Sequence, residues 1–391
     1  MNKKIKELYL FLTLKLLFPW QYRRFRKLPL KEGKAVFIEA NLTQLSGSLR
    51  FLYEVLCEKE DMEVHVQYLQ ESGDKLRFIR NALACLKDCA DAKYIFLCEG
   101  SRVISCIEPR KETVITQLWH GCGAFKKFGF STCEDLFGGS RKEYLKYSYY
   151  KNYDYITVSS PEVIWAYREA MNLPKEQKSI VPVGVSCTDL LFQEKFHKAA
   201  KKKLSDRCPQ AEGKKIMLYA PTFRGSVGQA KAPDALDLVQ MKEKLGKEWI
   251  LLIKQHPVVK QRPPVPKEAK GFAFDVSDDF VIEELLCVSD VCVSDYSSLV
   301  FEYSLFERPM VFFAYDFAEY GEWRGFYYDY QELTPGPVLQ TTEEVVDYVL
   351  HLEERFDRQR VADFKQKFMS ACDGHATERL LEMIQKEKTY E

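Results

Sequence analysis

The sequence predicts an α/β chain built from two successive Rossmann-like parts, and three observations carry that reading. Short β-branched or aromatic runs alternate with longer helical patterns along most of the 391 residues, the signature of parallel strands covered by helices. A charged stretch poor in apolar residues, at 193–215, separates one such series from a second. A chain of this length with 46% hydrophobic residues can fill two ordinary cores.

The chain opens with residues 8–18, apolar except for Thr13 and Lys15 and cut off by Pro19. This falls short of the roughly 20 apolar residues a spanning helix needs. Trp20, Tyr22 and a basic cluster follow it, where a secretory signal would carry a small-residue cleavage site. Lys3, Lys4, Lys6, Lys15, Arg23, Arg24, Arg26 and Lys27 stand against one early acid, Glu7. Two readings are open for residues 1–28. One is an amphipathic helix lying in a membrane interface, apolar side down, with cations toward anionic lipids. The other is a helix packed on the body of the protein.

In the first series strands are expected at 35–40, 64–69, 94–98, 114–118, 155–159 and 179–183, with a helix at 49–59 opened by Ser46, Gly47 and Ser48. The second series has strands at 216–219, 249–253, 272–275, 291–294 and 310–313. Residues 258–269, rich in Pro and Lys, read as a loop. Residues 361–386 read as helix, capping the second domain or crossing back to the first. The expected division is an interface segment at 1–28, an acceptor-side domain at 29–196 and a donor-binding domain at 197–391.

Lys plus Arg equals Asp plus Glu at 57 each, so no global field calls for nucleic acid. The 12 cysteines include no CxxC pair and no histidine at zinc-finger spacing. Cys85 and Cys89 share a helix face as small core residues. Many unpaired thiols point to a reducing compartment, with the cytoplasm as default. With no carboxylates at ligand spacing, neither a metal nor a resident cofactor is expected.

In open α/β sheets, ligands bind beyond the carboxyl ends of the strands, and three strand ends carry unusual residues. The run at 114–118 leads into Trp119, His120, Gly121, Cys122 and Gly123, with Lys126 and Lys127 following. The glycines permit a sharp turn, the lysines bring charge for a phosphate, and His120 is placed as a general base or as a structural hydrogen-bonder. The stretch lacks the ending of a Walker motif. The run at 249–253 ends in Lys254, Gln255, His256 and Pro257, so two of six histidines end strands in separate domains. In the third, Ser294, Asp295, Tyr296, Ser297 and Ser298 lead a buried strand into a helix carrying Glu302. That is an anion site or plain N-capping, and the two are compatible. Thr222 and Arg224, after the first strand of the second series, are candidates to hold a phosphate.

Taken together, the clusters resemble the CDP-glycerol glycerophosphotransferase family, the primases and polymerases of teichoic acids and related capsular polymers. The matching pieces run in the family's order: QLWHGCGAFKKFG from Gln117, YAPTFR from Tyr219, QHP from Gln255, SDYSSLVFEY from Ser294, the segment from Pro309 to Asp316, RGFYYDY from Arg324 and PGPV from Pro335. The resemblance implies a GT-B architecture, with two Rossmann-like domains facing across a cleft. It implies a peripheral enzyme at the cytoplasmic face of the membrane that moves glycerol phosphate or ribitol phosphate from a CDP-polyol to a lipid-linked saccharide or polyol-phosphate acceptor, releasing CMP. By motif match His120 is the base and His256 contacts the donor phosphates. Ser297 and Ser298 bind the diphosphate and Glu302 the cytidine ribose, with Trp119, Gly121, Lys126, Thr222, Arg224 and Lys254 completing the donor-binding set.

This sequence departs from the family pattern in three places. Cys122-Gly123 stands where many members have Thr-Pro, a form associated partly with ribitol-phosphate enzymes. Val185-Ser186-Cys187-Thr188-Asp189 replaces the Pro-Arg-Asn-Asp that commonly follows Gly184, and Glu302 and Lys254 stand where Asp and Arg are frequent. These changes leave the reaction type intact and leave polyol and acceptor open. The competing readings are a nucleotide-sugar glycosyltransferase on the same architecture and a non-catalytic membrane scaffold.

Overall fold

The computed structural model describes residues 3–133, 135, 138–225 and 227–386. The first two residues of the expected interface segment and the last five of the expected C-terminal domain lie outside them. The chain divides into two compact units. Unit 1 is Met1–Gly121, Phe128–Asp189 and Ala371–Glu391; unit 2 is Cys122–Lys127 and Leu190–Ser370.

Unit 1 is built on β1 (Lys31–Glu39), β2 (Glu63–Tyr68), β3 (Ala92–Leu97), β4 (Val114–Gln117), β5 (Tyr155–Thr157) and β6 (Ile180–Val181), in the order β2-β1-β3-β4-β5-β6. Unit 2 is built on β7 (Lys215–Tyr219), β8 (Trp249–Ile253), β9 (Ala273–Asp275), β10 (Val291–Ser294), β11 (Met310–Phe313) and β12 (Val338–Leu339), in the order β12-β11-β10-β7-β8-β9. All strand pairs are parallel. Central strands such as WILLI of β8 are buried along their whole length, as a sheet covered on both faces requires. In each sheet the direction of winding reverses once, between β1 and β3 and between β7 and β10. Those reversal points are where doubly wound sheets open a crevice for ligands.

On one face of the first sheet, Leu49, Leu52 and Leu56 of helix Gly47–Cys57 and Leu380 and Ile384 of helix Ala376–Lys386 pack against Ala35, Phe37 and Phe96. The C-terminal helix therefore belongs to unit 1, not to the donor-side domain expected at 197–391. Its N-terminus is held there by Asp189, which accepts from the N–H groups of Ala376 (3.0 Å) and Thr377 (2.7 Å). The passage from unit 1 to unit 2 follows this cap, a few residues before the expected boundary at 196. The sequence after Gly184 thus has a structural use: Ser186 bonds Thr377 at 2.6 Å. Gly184 itself sits at φ +93°, with Ala371 O only 2.2 Å from where a Cβ would be.

The N-terminal segment is continuous helix, Lys3–Phe11 and Phe18–Phe25 joined by a π-helical stretch, Leu12–Leu17. Leu10, Leu14, Phe18 and Tyr22 are buried, each four residues from the next. At 3.6 residues per turn such a row drifts around the helix, and the wider i→i+5 turn in its middle brings it back to one face. Phe18 meets Phe78 of helix Lys75–Cys89 edge-on at 6.1 Å, and Gln21 donates to Leu83 O at 3.1 Å. Fully burying Phe18 is worth roughly 1.5–3 kcal/mol, and Leu10, Leu14 and Tyr22 are buried beside it, so residues 3–25 are part of unit 1 and not a detachable segment. The opposite face leaves Ile5, Leu8, Leu12, Leu16 and Trp20 exposed. Among the described residues no helix is long and apolar enough to cross a membrane.

Candidate functional site

His120 follows β4. Its Nδ1 lies 2.9 Å from Cys98 O, past β3. A carbonyl only accepts, so Nδ1 carries the proton, and in the neutral ring the lone pair lies on Nε2. The ring is exposed and stacks at 4.5 Å on Trp119, which is buried, is in contact with Phe128 (4.6 Å) and lies edge-on to Tyr167 (5.9 Å). Trp119 adopts φ 60°, costly for a bulky residue, while its N–H is held by Gln117 Oε1 at 3.0 Å and the carbonyl of Gly121, two residues on, accepts from Tyr167 at 3.2 Å. The structure thus places Trp119 and Gly121 in unit 1, as the support that aims His120.

Residues Cys122–Lys127 leave this loop for unit 2. Lys126 forms an antiparallel bridge with Phe326, Lys127 N–H donates to Gly325 O (3.2 Å) and Tyr327 N–H to Phe125 O (3.1 Å). Gly123, at φ +65°, lies against the Phe301 ring, which a Cβ would meet at 2.3 Å. The Cys122 N–H donates to Glu302 Oε1 at 3.3 Å. Glu302 Oε2 is shielded from solvent without a partner, and burial pushes the carboxyl up to about 7.

At the reversal point of the second sheet, Thr222 after β7 donates its N–H to Asp295 Oδ1 after β10, at 2.8 Å, and Ser294 Oγ donates to Ala220 O at the same distance. The Thr222 hydroxyl is buried and has no partner, an unmet need that a bound group would satisfy. Ser297 and Ser298 stand partly exposed between β10 and helix Leu299–Ser304; Ser297 Oγ accepts from Leu299 N at 3.4 Å, and Ser298 makes no side-chain cap. His256, after β8, is exposed, packs at 5.0 Å on the Phe223 ring, and its Nδ1 accepts from Val258 N–H at 3.3 Å. In the neutral ring that bond leaves the proton on Nε2.

Two of the cations picked from sequence are tied up within unit 2. Arg224 makes a two-point pair with Asp316 (2.5 and 2.9 Å), reaches Asp295 at 3.0 Å and donates to Thr222 O at 2.5 Å. The rings of Tyr296, Tyr315 and Tyr320 stand 5.2–5.3 Å from it. Burial would favour its neutral form, but the bond to Asp316 and the charge of Asp295 raise its pKa instead. Lys254 donates to Ser277 O (2.7 Å) and Phe280 O (2.5 Å), and its pKa is lowered by burial and then by Arg262. Both side chains thus bond groups at the strand ends of unit 2. Asp295 and Asp316 were not marked from sequence as partners of Arg224; the available signal was an acid just past an apolar run in each case, VCVSD and VFFAYD.

Residues 20–386 match the family model described as CDP-Glycerol:Poly(glycerophosphate) glycerophosphotransferase. Over 371 residues the chain is 34% identical to the teichoic acid poly(ribitol-phosphate) polymerase of Bacillus spizizenii, covering 94% of this chain and 58% of that protein. Over 366 residues it is 33% identical to the teichoic acid ribitol-phosphate primase of the same organism, covering 91% of this chain and 92% of that one. The chain thus spans less than two thirds of the first relative and nearly the whole of the second. Among solved structures, the H548A variant of the wall teichoic acid polymerase TagF matches with a TM-score of 0.77 at 19% identity, covering 99% of this chain and 98% of that one, a likeness of fold.

Proposed function

The chain belongs to the CDP-glycerol:poly(glycerophosphate) glycerophosphotransferase family, and from that premise we propose that it transfers a polyol phosphate from a CDP-polyol to a teichoic acid or capsular polymer acceptor, releasing CMP. The observation that carries the reading is His120, held past β4 by its Nδ1–H bond to Cys98 O, which leaves Nε2 of the neutral ring to accept a proton. In this reading the units act in the GT-B manner, unit 2 holding the donor and unit 1 presenting the acceptor. His120 Nε2 takes the proton of the acceptor hydroxyl as its oxygen attacks the phosphorus nearer the polyol. The bond from that phosphorus to CMP breaks, and the leaving phosphate keeps the electron pair. The His256 N–H, the Thr222 hydroxyl and the amides and hydroxyls at Ser297 and Ser298 offset the charge that develops. Glu302, with one oxygen unpartnered, is suited to the cytidine ribose hydroxyls. No covalent intermediate is needed, so positioning and charge stabilisation supply most of the rate.

Ribitol phosphate is the polyol this reading favours, supported by Cys122-Gly123 and by the names of the two B. spizizenii relatives. The exposed row Ile5, Leu8, Leu12, Leu16 and Trp20, with basic residues around it, supports a resting place for unit 1 on the cytoplasmic face of the membrane, where a lipid-linked acceptor is found. The test is CMP release and product analysis with CDP-ribitol, CDP-glycerol and UDP-sugars, each with and without a lipid-linked acceptor. Acceptor-dependent CMP release, faster with CDP-ribitol, is expected. Turnover of a UDP-sugar alone would transfer the chain to the glycosyltransferase reading.

A further inference from the structure

The reversal point of the first sheet, between β1 and β3, carries an arrangement that the transfer reading has not used. Glu39 ends β1 and accepts from Ser46 N–H at 2.6 Å. Asn41 follows, receives the Ser72 N–H on Oδ1 at 3.0 Å and donates to Glu99 Oε2 at 3.3 Å. Glu99 lies past β3, next to Cys98, whose carbonyl fixes the His120 ring, and its own carbonyl accepts from Gln117 at 2.9 Å. Glu71 lies past β2, its N–H on Ala40 O at 2.9 Å. Gln70 immediately before it adopts φ 56°, as Trp119 does immediately before His120.

Unmet bonds remain here. Glu71 Oε1 is shielded from solvent with no partner, and so is Nε of Arg102, whose Nη2 is taken by Glu143 at 2.7 Å. Burial and then the charge of Glu99 push the Glu71 carboxyl up to about 7, a shift that Arg102 only partly opposes. Carboxylates that feel one another's charge repel a phosphate but accept from hydroxyls, which also satisfy an N–H donor. Among the described residues no three His, Cys, Asp or Glu side chains are grouped to hold a metal ion, so the acids are not laid out for a cation.

We propose that Glu71 and Glu99, with Asn41, form the subsite that reads the hydroxyls of the acceptor's terminal polyol or sugar and so sets its attacking hydroxyl against His120. Resting on the transfer reading, this gives unit 1 a hydroxyl-recognising subsite and leaves the acceptor's phosphates outside it.

The test is steady-state transfer from CDP-ribitol by the full chain to a short-tailed lipid acceptor ending in ribitol phosphate, and to the same acceptor deoxygenated beside the attacking hydroxyl. A hydrogen bond to a charged group is worth about 1.5–3 kcal/mol, or roughly 10- to 100-fold. The wild type should show a KM for the deoxygenated acceptor higher by about that factor. Glu71→Gln and Glu99→Gln, near-isosteric with the native side chains, should raise KM for the complete acceptor about tenfold and shrink the gap between acceptors, with KM for CDP-ribitol unchanged. Asn41→Ala, on an exposed loop, should act the same way more weakly and serves if a glutamine variant fails to fold. Unchanged acceptor KM in the variants, or a matching rise in donor KM, overturns the subsite. A wild type inactive with both CDP-ribitol and CDP-glycerol overturns the transfer reading and the subsite with it.

Discussion

At the scale of single residues, the site is made as much by side chains that support as by those expected to touch substrate. Arg224 shows this: as read from the sequence it holds a phosphate, while in the fold its donors go to Asp316, Asp295 and Thr222 O. Removing one member of a buried ion-pair cluster typically costs about 3–5 kcal/mol, because the remaining charges are left unpaired. Arg224→Ala should therefore lower thermal stability strongly, and Arg224→Ala/Asp316→Ala should recover part of the loss in a denaturation series. An Arg224→Ala enzyme of normal stability that had lost only donor affinity would return the residue to direct phosphate contact. Glu302 gives a pH-dependent prediction. Its folded pKa of about 7 lies above the ordinary carboxyl value, so between those two values the unfolded chain releases a proton that the folded chain keeps. Stability contributed at low pH is lost as pH rises through that window. Glu302→Gln should then gain on the wild type by roughly 1–3 kcal/mol between pH 5 and pH 8, read as a widening gap in Tm; a gap independent of pH would contradict the shift.

At the scale of elements, the strand ends were the most legible part of the sequence. Runs such as VITQL and WILLI mark β4 and β8 by composition alone, and His120 and His256 fall just past them. β12 was missed because two residues, Val338 and Leu339, give no period to detect. The N-terminal helix was legible as amphipathic, but its burial was not. Pro19 follows directly on the π-helical stretch Leu12–Leu17 and does not end the helix, and the π-helical turn that realigns Leu10, Leu14, Phe18 and Tyr22 has no sequence signature. Both readings of that helix find support, since one face packs on unit 1 and the other is open. Changing Leu8, Leu12, Leu16 and Trp20 to polar residues should shift the protein from membranes to the soluble fraction in a flotation assay and leave its melting unchanged. Deleting residues 1–26 should instead destabilise it, because Phe78 and its neighbours lose their cover. A stable, fully active deletion variant would show that the helix is dispensable to unit 1.

For the whole molecule, the sequence conveys two parallel α/β series and their order, and it leaves two destinations open for the last helix. Residues from Ala371 onward return to unit 1, the crossing-back alternative, held by Asp189 at Ala376. The other exchange, Cys122–Lys127 given to unit 2 from within unit 1, alters no local hydrophobic pattern and shows only where Gly123 meets Phe301. The loop that carries His120 continues directly into the segment whose Cys122 N–H donates to Glu302. The central claim is that unit 1 supplies the base and unit 2 the donor site. It is tested most directly by single-turnover transfer from CDP-ribitol in wild type and His120→Ala, with donor affinity measured alongside. The account predicts a rate lower by about 10²- to 10⁴-fold with donor affinity essentially unchanged. Donor affinity collapsing together with the rate, or a rate that does not fall, would contradict it.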